Sequence, residues 1–151
     1  MAESLQENIQ NTATTIKLPP NSQEAEQSVL GGLMLNDQHW FDLVDILQPS
    51  DFYRNQHQLI YQAMIELANQ DEALDAVTVS EKLKSKAILE KAGGIEYLGQ
   101  LAESSTGASN VLAYARIIRE RSVLRQLIGA ANQIADSAFS TEGKNLSLIH
   151  I

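Results

Sequence analysis

Residues 24–35 read EAEQSVLGGLML, and this stretch shows what kind of fold the chain builds. Its apolar residues recur at the spacing that places them along one side of an α-helix. They are Ala25, Val29, Leu30, Leu33 and Met34. Two adjacent glycines, Gly31 and Gly32, lie within this stripe, although each costs about 1 kcal/mol relative to alanine in a helix interior. We expect them to let another helix backbone approach closely; the alternative is an exposed pair that the helix tolerates.

The flanking sequence predicts more short helices and no paired strands. Asn21 and Glu24 stand at capping-box spacing ahead of the first helix, which we predict to end near Leu35. Apolar residues at i, i+3, i+4 and i+7 spacing predict four further helices. They lie at about 40–47, 54–69, 76–86 and, after the Gly93-Gly94 pair, 95–103. Asp75 is the expected N-cap of the third of these, and the two aromatic residues of SDFY, 50–53, are expected to fill the core.

A longer helical pattern begins at about residue 110 and continues to about 138, which is roughly eight turns at 3.6 residues each. The average helix has about 11–12 residues, so we interpret this one as an arm rather than another wall of a bundle. Ser109 or Asn110 is the expected cap. The predicted fold is therefore all-α, a compact bundle of about five to six short helices followed by one long helix.

The same reading divides the chain into four segments. Residues 1–17 are polar and aperiodic, which is typical of a disordered tail. Residues 18–106 are predicted to form a helical globular domain, and residues 107–140 contain the long helix. Residues 141–151 are predicted to be a second tail.

Charge is unevenly spread along the chain, whose net charge is −8. Residues 1–106 hold 6 Lys and Arg against 16 Asp and Glu, a net of −10, whereas residues 107–151 hold 5 against 3, a net of +2. Nucleic-acid-binding surfaces are basic, so the acidic part indicates a protein partner instead. A cytoplasmic location is expected, because the sequence lacks a membrane-length apolar run, a secretory signal and cysteine.

No pattern of residues indicates catalysis or metal binding. The sequence has neither a G-x-x-x-x-G-K-[ST] phosphate loop nor a nucleophile elbow. The three histidines are far apart and lack the spacing of metal ligands. They are His39, His57 and His150. Glu24 with Glu26, and Asp42 with Asp45, are better explained as solvated helix faces or caps than as acid–base pairs. We expect no catalytic residue, cofactor or metal, which disfavours a small helical enzyme.

The densest basic cluster lies in ARIIRERSVLR, residues 115–125. Its arginines are Arg116, Arg119, Arg121 and Arg125. One interpretation is pairing along the helix surface, with Glu120 among them. A second is that they steer and orient an acidic partner surface. The third is a helical nucleic-acid-binding module that places this cluster on phosphates, which the net charge of −10 argues against.

Four stretches carry the most specific patterns: LPPNSQEAEQSVLGGLMLN, DFYRNQHQLIYQAM, AGGIEYLGQLAES and ASNVLAYARIIRERSVLRQLI. Together they resemble the N-terminal domain of the bacterial replicative DNA helicase, the DnaB family, over about residues 18–140. The resemblance implies a helical body followed by a helical hairpin, of which the long helix is the first arm. The chain ends in NLSLIHI, where the family continues with an acidic, Leu-rich helix, so these last residues look foreign to it.

The resemblance also implies partners and site residues. In the family a separate ATPase domain binds ATP and Mg²⁺, and six subunits form a ring around DNA. The N-terminal domains pair into a collar that recruits primase. A helicase loader is another candidate partner. We expect no membrane partner. Self-association is expected through Tyr114, Ile117, Ile118, Leu124 and Leu127. Primase docking is expected through Tyr97, Ile128 and Ile134.

Overall fold

A computed structural model of the chain describes residues 18–105 and 110–140. The elements in these ranges are all helical, which confirms the predicted all-α class. The α-helices are α1 (Gln23–Leu35), α2 (Trp40–Ile46), α3 (Asn55–Asn69), α4 (Ala76–Ser85), α5 (Gly94–Ser104) and α6 (Val111–Ser140). A short 3₁₀ helix, Pro49–Asp51, connects α2 to α3. The two predicted tails and the predicted cap at Ser109 lie outside the described residues.

The chain divides into two compact units. The core unit is Asn21–Ser122, and the terminal unit consists of Met1–Pro20 with Val123–Ile151, of which residues 18–20 and 123–140 are described. Helix α6 contributes to both units. Within the described residues, no helix has the length and apolar character needed to cross a lipid bilayer.

Two helix caps test the predicted starts of helices. The N-cap of α1 is Ser22, whose hydroxyl accepts a hydrogen bond from the Ala25 N–H at 3.2 Å, so the prediction of Asn21 was one residue early. Capping-box spacing suits Asn21 with Glu24 and not Ser22, which is followed three residues later by Ala25. The β-region backbone and the hydroxyl bond of Ser22 nonetheless make it the cap. The predicted cap of α4 is confirmed, because the Asp75 carboxylate accepts the Thr78 N–H at 2.9 Å.

The glycines of α1 lie in the interior of the core unit. Both Gly31 and Gly32 are buried, so the alternative of an exposed pair is wrong. A Cβ atom at Gly31 would collide with the backbone carbonyl of Leu101 in α5. The predicted close approach of another helix is therefore confirmed at Gly31, where the absence of a side chain allows the α1 and α5 backbones to touch.

Aromatic side chains fill the part of the core around α3. The Tyr61 ring lies 5.0 Å from the Phe52 ring and 5.6 Å from the Trp40 ring, measured between centroids, and its hydroxyl donates to the Leu47 carbonyl at 2.9 Å. Phe52 is fully buried, as predicted, but the adjacent Tyr53 has an exposed side chain. Phe52 has an extended backbone, and successive side chains of an extended chain point to opposite sides. Only one aromatic residue of SDFY can therefore enter the core.

Candidate docking surfaces and a buried polar relay

The first twelve residues of α6 belong to the core unit. Val111, Ala115 and Ile118 recur at helical spacing and are all buried. Ser122, one turn further on, is buried as well although it is polar. The apolar face of this part of α6 is therefore buried in the core of its own unit.

Asp51 fixes this part of α6 to the 3₁₀ helix. Its carboxylate is buried and accepts hydrogen bonds from the Arg119 guanidinium and the Ser122 hydroxyl, each at 2.7 Å. The backbone N–H of Gln48 donates to its second oxygen at 2.8 Å. A buried carboxylate is tolerated only with partners of this kind. Burial first, and the Asp51 charge second, raise the pKa of Tyr61 above its ordinary value of 10.

The remainder of α6, residues 123–140, contains no buried residue. Its large apolar side chains are nonetheless numerous, and helical periodicity places the following five on one face. They are Leu124, Leu127, Ile128, Ile134 and Phe139, and we call this set the apolar stripe. Leu127 is 60% exposed and Ile134 is 72% exposed. Contiguous exposed apolar surface of this kind marks an interaction site in soluble proteins.

The structure separates the five residues predicted for self-association into three groups. Leu124 and Leu127 belong to the apolar stripe. Tyr114 and Ile117 are partly buried and pack against the core. Ile118 is 2% exposed and lies in the core itself, so its side chain offers no surface to a second chain. The sequence pattern could not distinguish these groups, because a core face and an interface face share the same periodicity.

Two of the three residues predicted for primase docking, Ile128 and Ile134, belong to the terminal unit and are exposed. The third, Tyr97, belongs to α5 in the core unit and is partly buried. Its ring stacks on that of His57, with centroids 5.9 Å apart and an interplanar angle of 11°. Its hydroxyl lies 2.6 Å from His57 Nε2, and Gln27 Nε2 donates to it at 3.4 Å.

His57 connects Tyr97 to a buried carboxylate. On the other side of its ring, Nδ1 lies 2.7 Å from Glu26 Oε1. Glu26 is 2% exposed and His57 is fully buried, so Glu26 is not the solvated or capping carboxylate that the sequence predicted. We call Glu26, His57 and Tyr97 the polar relay.

Sequence reasoning missed the polar relay because its members lie 31 and 40 positions apart. One signal was present. Glu26 lies four residues before Leu30 and seven before Leu33, within the apolar face of α1, where a charged residue is unexpected without a partner.

Three of the four arginines predicted to steer a partner have partners within the chain. Arg119 pairs with Asp51 at 2.7 Å, Arg121 with Glu120 at 3.3 Å, and Arg125 donates to the Pro20 carbonyl at 2.7 Å. Arg116 is exposed. Two of the four arginines, Arg119 and Arg121, are paired with carboxylates, which halves the charge that the cluster offers to phosphates. The nucleic-acid-binding alternative is therefore not favoured.

Comparisons with known proteins agree with this architecture. Residues 18–120 match the family model of the DnaB-like helicase N-terminal domain. Over 134 residues the chain is 40% identical to the replicative DNA helicase DnaB of Haemophilus influenzae, covering 89% of this chain and 29% of that protein. The chain thus spans less than a third of the length of this relative.

Solved structures of domains from two bacteria are similar to the structure of this chain. The N-terminal domain of the DnaB helicase from Mycobacterium tuberculosis superposes with a TM-score of 0.78 at 38% identity, covering 81% of this chain and 88% of that one. The N-terminal domain of the DnaB helicase from Helicobacter pylori, described together with its interactions with primase, gives 0.64 at 28% identity over 76% and 89% of the two chains. With a family match across most of the sequence and the same helical architecture, this chain belongs to the DnaB-like helicase N-terminal domain family.

Proposed function

We propose that this chain is a non-catalytic collar domain of a replicative DNA helicase, which self-associates and docks primase. The family supports the first part, since its relatives are replicative DNA helicases. The second part is supported by the Helicobacter pylori domain, which was described with its interactions with primase. The observation that carries the proposal is the apolar stripe of α6, which has no cover among the described residues.

The apolar stripe suits association with a second helix. Residues at i, i+3 and i+4 spacing, as in Leu124, Leu127 and Ile128, form the ridge that packs into the groove of a partner helix. A specific interface buries about 800 Å² on each partner. In this proposal Leu124 and Leu127 of the terminal unit serve self-association, as do Tyr114 and Ile117 of the core unit, whereas Ile118 has no part. Ile128 and Ile134 serve primase, and Tyr97 of the core unit is a separate primase contact.

Chemistry is assigned to a part of the protein outside these residues. The sequence contains no phosphate-binding loop of the G-x-x-x-x-G-K-[ST] type, so we place ATP and Mg²⁺ in a separate ATPase domain, as the resemblance to the family implies. DNA and a helicase loader are then partners of the assembled ring, which works in the cytoplasm. Arg116, whose side chain is exposed, is assigned a steering role.

Self-association is tested by sedimentation of the chain across a wide range of concentrations. We expect a monomer–dimer equilibrium that Leu127→Asp abolishes, because burying an unpaired carboxylate is prohibitive. Val77→Asp is the matched control, since Val77 is 69% exposed against 60% for Leu127 but lies on α4 in the core unit. A chain that stays monomeric at all concentrations contradicts the self-association part of the proposal.

Docking is tested by titrating the chain with the C-terminal domain of its cognate primase and, separately, with single-stranded DNA. We expect saturable binding of the primase domain and no binding of DNA at physiological salt. Binding of DNA with a steep salt dependence, and none of primase, would reverse the assignment in favour of a nucleic-acid-binding module.

A further inference from the structure

The polar relay runs from the interior of the core unit to the hydroxyl of Tyr97, a partly buried residue. We propose that the polar relay fixes the Tyr97 hydroxyl as a hydrogen-bond acceptor, so that a partner docking there must bring an N–H or O–H donor. Glu26 and His57 are positioning residues that act through Tyr97. This inference rests on the proposed function, in which Tyr97 contacts primase, and it names the chemistry of that contact.

The direction of the relay is set at its buried end. Glu26 Oε2 accepts the backbone N–H of Tyr53 at 2.9 Å, and Oε1 accepts that of Arg54 at 3.4 Å. A carboxylate that receives backbone donors on both oxygens acts as an acceptor only. The short contact of 2.7 Å between Oε1 and His57 Nδ1 therefore requires a proton on Nδ1.

The proton on Nδ1 determines whether Nε2, on the other side of the imidazole ring, donates or accepts a hydrogen bond. The Tyr97 oxygen already accepts from Gln27 Nε2, which can only donate, so the phenol proton is available to His57 Nε2. The neutral ring with its proton on Nδ1 has a lone pair on Nε2. That lone pair accepts the Tyr97 O–H across 2.6 Å.

The Tyr97 hydroxyl therefore donates its proton to His57 and can only accept hydrogen bonds from other groups. Its only proton points inward to His57, and its oxygen keeps two acceptor positions. Gln27 Nε2 uses one of these at 3.4 Å, and the other is left for a partner. The parallel stacking of the Tyr97 and His57 rings holds the phenol in this orientation.

One substitution reverses the polarity without removing any side chain. In Glu26→Gln the amide oxygen stays on the Tyr53 N–H, and the NH₂ group takes the Oε1 position, where it faces His57 Nδ1 and gives up the 3.4 Å contact with the Arg54 N–H. The ring proton then moves to Nε2, which donates to the Tyr97 oxygen and turns the hydroxyl into an outward donor. Glu24→Gln is the matched control, because Glu24 lies on the same turn of α1 but is exposed.

The tautomer is read directly from the nitrogen-15 shifts of the His57 ring in the full chain, assigned by their loss in His57→Gln. We expect Nδ1 protonated and Nε2 unprotonated in the wild type and in Glu24→Gln, and the reverse in Glu26→Gln. A wild-type ring protonated at Nε2, or at both nitrogens, overturns the inference whether or not primase binds.

The contact is tested by titrating each variant with the C-terminal domain of the cognate primase. Because one hydrogen bond is lost, we expect Tyr97→Phe and Glu26→Gln to weaken binding by up to about tenfold, with Glu24→Gln unchanged and all variants folded by circular dichroism. Unchanged affinity in Tyr97→Phe overturns the acceptor contact. If the wild type binds no primase while the tautomer is as stated, the proposed function fails and the polarity of the relay stands.

Discussion

The two parts of helix α6 have similar sequence patterns and opposite surroundings. Residues 111–122 bury Val111, Ala115 and Ile118 in the core unit, whereas residues 123–140 bury nothing, although they contain the five large residues of the apolar stripe. The difference lies in what surrounds each half and not in its periodicity. An apolar face predicts that something will cover it, and the identity of the cover comes from elsewhere in the fold or from a partner.

The largest expected effect comes from truncating matched aliphatic residues on either side of this division. Ile118→Ala should lower the free energy of unfolding by about 2–5 kcal/mol, because it opens a cavity in a packed core. Leu127→Ala should change it by less than about 0.5 kcal/mol, since the Leu127 side chain is exposed. Chemical denaturation of dilute protein checks both. Equal losses in the two variants would erase the contrast between the halves.

Polar anchoring gives the second test. Asp51→Ala removes the buried carboxylate that accepts from the Gln48 N–H, Arg119 and Ser122, and the loss of these hydrogen bonds should cost about 2–3 kcal/mol. The matched variant is Glu120→Ala, which removes an exposed carboxylate paired with Arg121 and should cost less than about 1 kcal/mol. Urea denaturation midpoints report the two effects. Similar midpoints would show that Asp51 contributes nothing beyond a surface pair.

Glycines offer a third comparison between the two units. Gly31→Ala should destabilise by about 1–3 kcal/mol, because its Cβ meets the Leu101 carbonyl. Gly129→Ala, at an α6 position where a Cβ meets nothing within 4 Å, should stabilise by about 0.5–1 kcal/mol through helix propensity. Gly32→Leu, at a buried position, should also lower the melting temperature. Thermal unfolding measures all three, and a Gly31→Ala variant as stable as the wild type would refute close packing of α1 on α5.

The smallest effect is a pH dependence of the core around Tyr61. The pKa of this phenol is raised in the folded state, so above pH 10 the unfolded chain loses the proton while the folded chain keeps it. Stability contributed by Tyr61 is therefore complete below pH 10 and falls as pH rises, by at most about 1.4 kcal/mol per pH unit. The difference between wild type and Tyr61→Phe from pH 8 to 11 isolates it. A constant difference would mean that burial does not perturb the phenol.

Much of the fold could be predicted from local pattern. Helix spacing located all six α-helices, and the Asp75 cap follows from chemistry within four residues. What could not be predicted depends on contacts between distant residues. The polar relay joins Glu26 to His57 and Tyr97, and Asp51 meets Ser122 71 positions away. Such pairings form only once the helices have packed. Packing also decides that Ile118 is buried and Leu127 exposed, although both lie on apolar positions of the same helix.

The hydrogen bond from Arg125 to the Pro20 carbonyl has a practical consequence for where the domain can be cut. Residues 18–22, which precede α1, look dispensable because none of them lies in a helix. A shortened chain that begins at Asn21 would nonetheless delete an acceptor of Arg125 and loosen the terminal unit. Any trimmed version for crystallisation or fusion should start at or before Leu18, the residue at which the family match also begins.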